Sequence, residues 1–262
     1  TAFPGWTFDS WSGAVSDPDN PITTVTILGN TTVTANYTQN EYNLTILSEH
    51  GTVAANPDQD FYHLGDLVQL TATPDTGWVF ANWSGDATST DNPITITITG
   101  DMTITANYTS IPYTLTVISE HGTVSKSPDQ TSYTYGQEVV LTATAAPGWT
   151  FADWSGDATG SENPVTINIT GNMTVTANYT AIPYTLTVIS DHGSYDINPL
   201  QASYEYGEVV TITLTPDTDW YFVGWSGDAS GASNPLFLTI VGNMEITAIY
   251  GQNRVFLPLI VR

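Results

Sequence analysis

Several side-chain groups in this chain could do chemistry if their spacing allowed it. Acidic residues flank a recurring Trp-Ser-Gly loop: Asp86 with Asp91, Asp157 with Glu162 and, in a variant form, Asp17 with Asp19. Calcium takes about six to eight oxygens from carboxylates and carbonyls, so these loops could contribute to a site. They lack the DxDxDG spacing of a dedicated calcium loop, and an Asp placed this way also caps a turn. Carboxylate pairs could serve glycoside hydrolysis. These pairs recur in one form along the chain, however, whereas a catalytic centre is singular, and no Ser/His/Asp or Cys/His set accompanies them. No enzyme and no cofactor are expected. His50, His121 and His192 each precede a Gly at equivalent places, too far apart to share a metal, and His63 stands alone. Asn-x-Ser/Thr sequons at Asn30, Asn36, Asn43, Asn82, Asn107, Asn168, Asn172 and Asn178 could accept glycans. Thr and Asn are also the polar half of a repeated alternation, which explains the sequons without glycosylation.

The equivalence of these places comes from a repeat. Tyr42, Tyr113 and Tyr184 stand 71 residues apart, and the pairs Trp78/Trp83, Trp149/Trp154 and Trp220/Trp225 keep that step. Trp6/Trp11 belongs to a unit that matches only the second half of the others. Self-similarity at a fixed period marks a repeat array. The expected divisions are a partial repeat over 1–41, repeats over 42–112, 113–183 and 184–251, and a C-terminal apolar strand over 252–262. Three-residue joints, two of them containing Pro, leave little freedom between units and suggest a rod.

Within a unit, apolar and polar residues alternate with period two, as in Val139/Leu141/Ala143 and Met173/Val175/Ala177/Tyr179. This is the signature of half-buried antiparallel strands. Six are expected in the third unit: 113–119, 122–126, 137–144, 149–154, 165–170 and 173–179. Gly122, Gly136 and Gly171 are expected in turns that require positive φ. Two Trp per small unit are expected to be core, because a module of this size leaves much of its surface exposed and needs large aromatics for burial. Sugar binding by exposed Trp and Tyr is the competing use.

With 26 acidic residues against 3 basic ones and a net charge of −23, the chain cannot neutralise phosphates. Nucleic acid is excluded as a partner, and so is membrane insertion, since no apolar run approaches the ~20 residues of a span. There is no cysteine, hence no disulfide and no thioester. No signal-type segment heads the chain, so the reading is of a processed, secreted or cell-surface β protein.

The residues Gly-Trp-x-Phe-x-x-Trp-Ser-Gly-Asp, then Asn-Pro, then Gly-Asn-x-Thr-x-Thr-Ala-Asn-Tyr resemble the divergent internalin-B-type bacterial repeat over residues 1–251. The resemblance implies a compact β-rich, β-grasp-like module in tandem on secreted and surface proteins, with stalk or adhesive roles and no catalytic residues. The fold class is therefore all-β: a tandem array of small antiparallel modules of about 71 residues with the first incomplete. Ala14 replaces the Asp of the sibling loops, and Glu245 and Ile249 depart from the pattern in the fourth unit.

The two ends suggest a function. The first unit should leave an apolar groove formed by Trp6, Phe8, Trp11, Ile22, Val25, Ile27, Val33 and Tyr37 on three remaining strands. The C-terminal segment carries Val255, Phe256, Leu257, Leu259, Ile260 and Val261 between Arg254 and Arg262. A strand donated by one copy to the groove of the next would build an open homopolymer, a pilus-like filament held without covalent bonds. The lone Lys126 could not supply a repeated isopeptide bond. The competing reading is a monomeric stalk or adhesin region. Outside itself, the protein would meet host-cell or neighbouring-cell surfaces or their glycans.

Overall fold

The computed structural model describes residues 1–253, and it is all-β. The chain divides into two compact units, Thr1–Pro112 and a second beginning at Tyr113. The first repeat contributes β1 (Trp6–Ser12) and β2 (Thr34–Gln39). The second contributes β3 (Leu44–Ser48), β4 (Gly51–Asn56), β5 (Leu67–Pro74), β6 (Trp78–Gly85), β7 (Ile94–Thr97) and β8 (Met102–Ser110). The third repeats this plan as β9 (Leu115–Ser119), β10 (Gly122–Ser127), β11 (Glu138–Ala145), β12 (Trp149–Gly156), β13 (Val165–Asn168) and β14 (Met173–Ala181). The fourth does so as β15 (Leu186–Ile189), β16 (Gly193–Asn198), β17 (Val209–Pro216), β18 (Trp220–Gly227), β19 (Leu236–Thr239) and β20 (Met244–Gln252). The alternation thus resolves into the expected six strands per complete module, close to the expected bounds.

Each complete module is two three-stranded sheets packed on one another. In the third, β14 lies between β9 and β12, while β11 lies between β10 and β13. The second sheet is antiparallel throughout, with Gly122 opposite Ala145 and Val139 opposite Ile167. The first is mixed. β12 and β14 are antiparallel, with a bulge between Phe151 and Asp153, but β9 runs parallel to β14, Leu115 opposite Met173. Period-two patterning does not distinguish parallel from antiparallel neighbours, so the antiparallel expectation holds for all pairs except this first-to-last one. The inward faces meet in one core per module: Val139, Leu141, Ala143 and Ile167 from one sheet, Leu115, Met173, Val175 and Trp154 from the other. Thr fills the outward places.

The recurring polar letters close the seams of this sandwich. β13 pairs with β11 only from Glu138 to Leu141. Beyond it the Asn163 side chain takes over the ladder, its Nδ2 donating to Ala143 O (2.8 Å) while Ala143 N donates to Oδ1 (2.9 Å). Asn92 and Asn234 do the same with Ala72 and Leu214. Asp157 ties β12 to β14: its N donates to Thr174 O and its Oδ2 accepts from Thr174 N at 2.6 Å. Asn172 Oδ1 accepts from Thr114 N (3.0 Å), fastening the start of the module to the turn ahead of its last strand. Tyr133, buried, donates its hydroxyl to Pro128 O.

Two expectations are corrected. The Trp pair splits: Trp154 is buried with its Nε1 donating to Glu162 O at 2.9 Å, whereas Trp149 lies half-buried, stacked on His121 with ring centres 3.6 Å apart. His50/Trp78 and His192/Trp220 repeat that stack. The reason is position, since Trp149 begins β12 at the module's end while Trp154 faces the opposing sheet. Of the three turn glycines, only Gly136 has positive φ (+77). Gly122 is required by close approach instead, because a Cβ there would run into Thr144 O and sit 2.6 Å from Tyr179 Oη. Gly171 has neither positive φ nor a crowded neighbour.

Two stability outcomes follow. Trp154→Ala should cost module three about 3–5 kcal/mol, and Trp149→Ala only about 1–2 kcal/mol, the scale of a surface aromatic contact. Asn163→Ala, which leaves both polar groups of Ala143 without partners, should cost about 1–3 kcal/mol. Calorimetric melting of the full-length variants would check both; equal losses from the two Trp changes would contradict this division of roles.

Candidate functional site: the open face of module one

Most recurrent side chains are occupied in closing modules, so the candidate site is the place where closure is missing. In module one β1 and β2 pair as their counterparts do, Trp6 opposite Gln39 and Trp11 opposite Ala35. Phe8 keeps its contacts with Trp11 and Tyr37, with ring centres 5.5 and 5.9 Å apart. Trp11 Nε1 donates to Asn20 O at 3.0 Å, as Trp154 does to Glu162. The counterparts of β3 and β4 and most of β5 would precede Thr1, and among the described residues nothing covers the face that they cover in the complete modules. Ile22 is 86 % exposed where Ile94 is 8 %, and Ile27 is 72 % exposed where Ile98 is 1 %. Trp6, Val25 and Tyr37 are likewise exposed, and Phe8, Trp11 and Val33 half-buried.

The expected third strand of this groove does not form. Residues 22–27 make one isolated bridge, Val15 to Val25. The cause is visible in the complete modules, where β7 and β13 are edge strands held only by β5 and β11. Without that central partner the segment has no ladder. The face nonetheless contains two hollows. One of about 330 Å³ is lined by Phe3, Trp6 and Tyr37. Another of about 200 Å³ is lined by Trp11, Val15, Thr23, Thr24, Val25 and Val33. The proposed donor residues Val255, Phe256, Leu257, Leu259, Ile260 and Val261 lie outside the described residues.

The other candidate residues are placed as follows. Asp86 Oδ2 accepts from Thr103 N, Asp17 Oδ1 from Asp19 N, and Asp91 N donates to Ser89 Oγ. These are turn and seam contacts, and among the described residues no three His, Asp or Glu gather as a metal site. Asn36, Asn107 and Asn178 are half-buried with Nδ2 already donating, Asn178 to Asp153 and Ser155 and Asn107 to Asn82 and Ser84. Asn30, Asn43, Asn82, Asn168 and Asn172 are exposed. His63 N donates to Asp66 Oδ2, 2.8 Å away. Lys126 forms a surface pair with Asp129 at 3.0 Å, and that hydrogen bond holds its pKa above the ordinary lysine value.

Sequence reasoning missed the His–Trp stack and the shallow bay beside it. In module two the bay is bounded by Leu47, Glu49, His50, Asn107 and Tyr108, and in module three by Ile118, Glu120, His121, Asn178 and Tyr179. The joint recurrence of His-Gly and Gly-Trp was the available signal.

The open face can be tested directly. The intact chain should bind an environment-sensitive apolar dye, and a copy of residues 113–143 joined ahead of Thr1 should remove that binding by supplying the first half of the unit. Unchanged dye fluorescence would mean that the face is not the binding surface.

No helix among the described residues is long and apolar enough to cross a membrane. No curated protein matches the chain. Among solved structures, the Bacillus anthracis TIE protein is similar at 11% identity, with a TM-score of 0.41, over 82% of this chain. The chain spans about half of that structure, 53% of it. The divergent InlB B-repeat domain matches four times in tandem, at residues 1–41, 42–112, 113–183 and 184–254. With those matches running through nearly its whole length, the chain belongs to the divergent InlB B-repeat domain family.

Proposed function

We propose that this chain is a structural repeat region of a bacterial surface protein, lying outside the cell, in which closed modules act as spacers and the open module is a docking point. Tandem membership of the InlB-type family supports the first part. The bare apolar face of module one carries the second, since exposed patches of this kind mark interaction sites. The finer reading is strand complementation: residues 254–262 of one copy cover the face in the next, giving an open head-to-tail homopolymer. The role is mechanical rather than catalytic, because the recurring carboxylates and amides are engaged in seams. Cell surfaces or their glycans are the partners such a polymer would meet.

The competing source of a covering segment is sequence upstream of Thr1 in a longer chain, which would make the region a plain stalk. Module one favours this insofar as Trp6, Trp11, Asn20-Pro21 and Ala35-Asn36-Tyr37 follow the second half of the unit in order. Negative-stain imaging and native mass measurement separate the two. Under complementation, the 262-residue chain forms filaments, deletion of 254–262 yields monomers with modules two to four folded, and a peptide of 254–262 blocks assembly. Polymerisation that survives the deletion, or a peptide that binds nowhere, would leave the stalk reading.

A further inference from the structure

We propose that the turn ahead of the first tryptophan in modules one and three is the seat for the following module, and that Asp219 closes that seat in module four. Two joints show the seat filled. Gly5 has φ +80, and a Cβ built on it would lie 2.9 Å from Leu64 Cβ and 3.2 Å from Leu64 Cδ2. Gly148 has φ +84, and a Cβ there would run into Tyr206 Cβ and lie 3.0 Å from Cγ. Leu64 and Tyr206 occupy one place in the repeat, immediately before the turn glycines Gly65 and Gly207. The bulky residue of the incoming turn therefore rests on the bare α-carbon of the seat. Each joint is also pinned by the linker backbone: Asn40 N donates to Gly5 O and Ile182 N to Gly148 O, both at 2.8 Å.

Module four keeps this backbone and changes only the side chain. Asp219 has φ 71, and Asn253 N donates to its carbonyl at 2.8 Å, as the linker residues do at filled seats. Non-glycine residues are uncommon at such φ, and Asp tolerates it better than most. Its Cβ and carboxylate stand where Leu64 or Tyr206 would rest. An incoming turn would have to displace them and desolvate a carboxylate, which is costly. The seat thus fits one partner, a repeat turn presenting a large side chain before glycine. Whatever follows Asn253, a module of this kind does not seat there. The inference is independent of what covers module one, since Asp219 and the seat at Gly148 lie in modules three and four.

The absence of cysteine makes paired labelling clean. With spin labels at Thr166→Cys and Thr213→Cys, the full chain should give one narrow distance distribution, and Gly148→Asp should broaden it. Module four shows that the turn accepts Asp. In a second chain, a copy of residues 183–253 is spliced after Asn253, with labels in module four and the copy. The distribution should be broad with Asp219 and narrow with Asp219→Gly. A Gly148→Asp distribution as narrow as the parent's would overturn the proposal. So would a copy that seats narrowly against Asp219, or one that stays broad after Asp219→Gly. If Gly148→Asp unfolds module three, judged by near-ultraviolet dichroism, the spliced chain decides, because its variant removes a side chain.

Discussion

A three-stranded sheet cannot shield its own apolar face, and everything in this protein follows from the need to lay a second sheet on it. Where both halves of the repeat are present, Val139, Leu141, Ile169 and Val175 are sealed completely, with Trp154 spanning the space between sheets. The parallel pairing of first and last strands is what makes closure possible in so short a unit, because it brings the start of the module back to its end. Asn163, Asp157 and Asn172 then satisfy backbone groups that the short strands leave unpaired, at points where an orphaned donor or acceptor would be expensive.

Module one shows the second half of the repeat with no second sheet laid on it among the described residues. Its hairpin survives, since β1 and β2 are each other's partners. Its third segment loses strand structure, since its partner was the central strand of the missing sheet. The residues that become exposed are the ones sealed elsewhere. At a net charge of −23, copies of this chain repel one another except where salt screens them. Any association through module one must therefore draw on apolar burial, which its face is composed to supply.

Much of this was legible in the sequence. The 71-residue step, the six strands and the core places of Val139, Leu141 and Val175 follow from period-two alternation. The candidate face was legible as well, because a half-repeat names the residues that lose their cover. Partner direction was not, since alternation is blind to whether β9 runs with or against β14. Nor was the fate of residues 22–27, which depends on a strand far away in sequence. The two Trp of a pair look alike as letters; only register separates Trp154 inside from Trp149 on His121. The joint glycines read as ordinary turn residues, and their crowding by Leu64 or Tyr206 appears only when modules are adjacent in space.

The central claim is that closure by the second sheet, not strand sequence, gives each module its stability. Residue-resolved amide hydrogen exchange on dilute, monomeric full-length protein tests it most directly, because opening free energies vary with local burial. Amides of Phe8 and Trp11 should exchange orders of magnitude faster than those of Phe80 and Trp83, whose strand has the same single pairing but lies under a second sheet. Equal protection in the two sets would contradict the account.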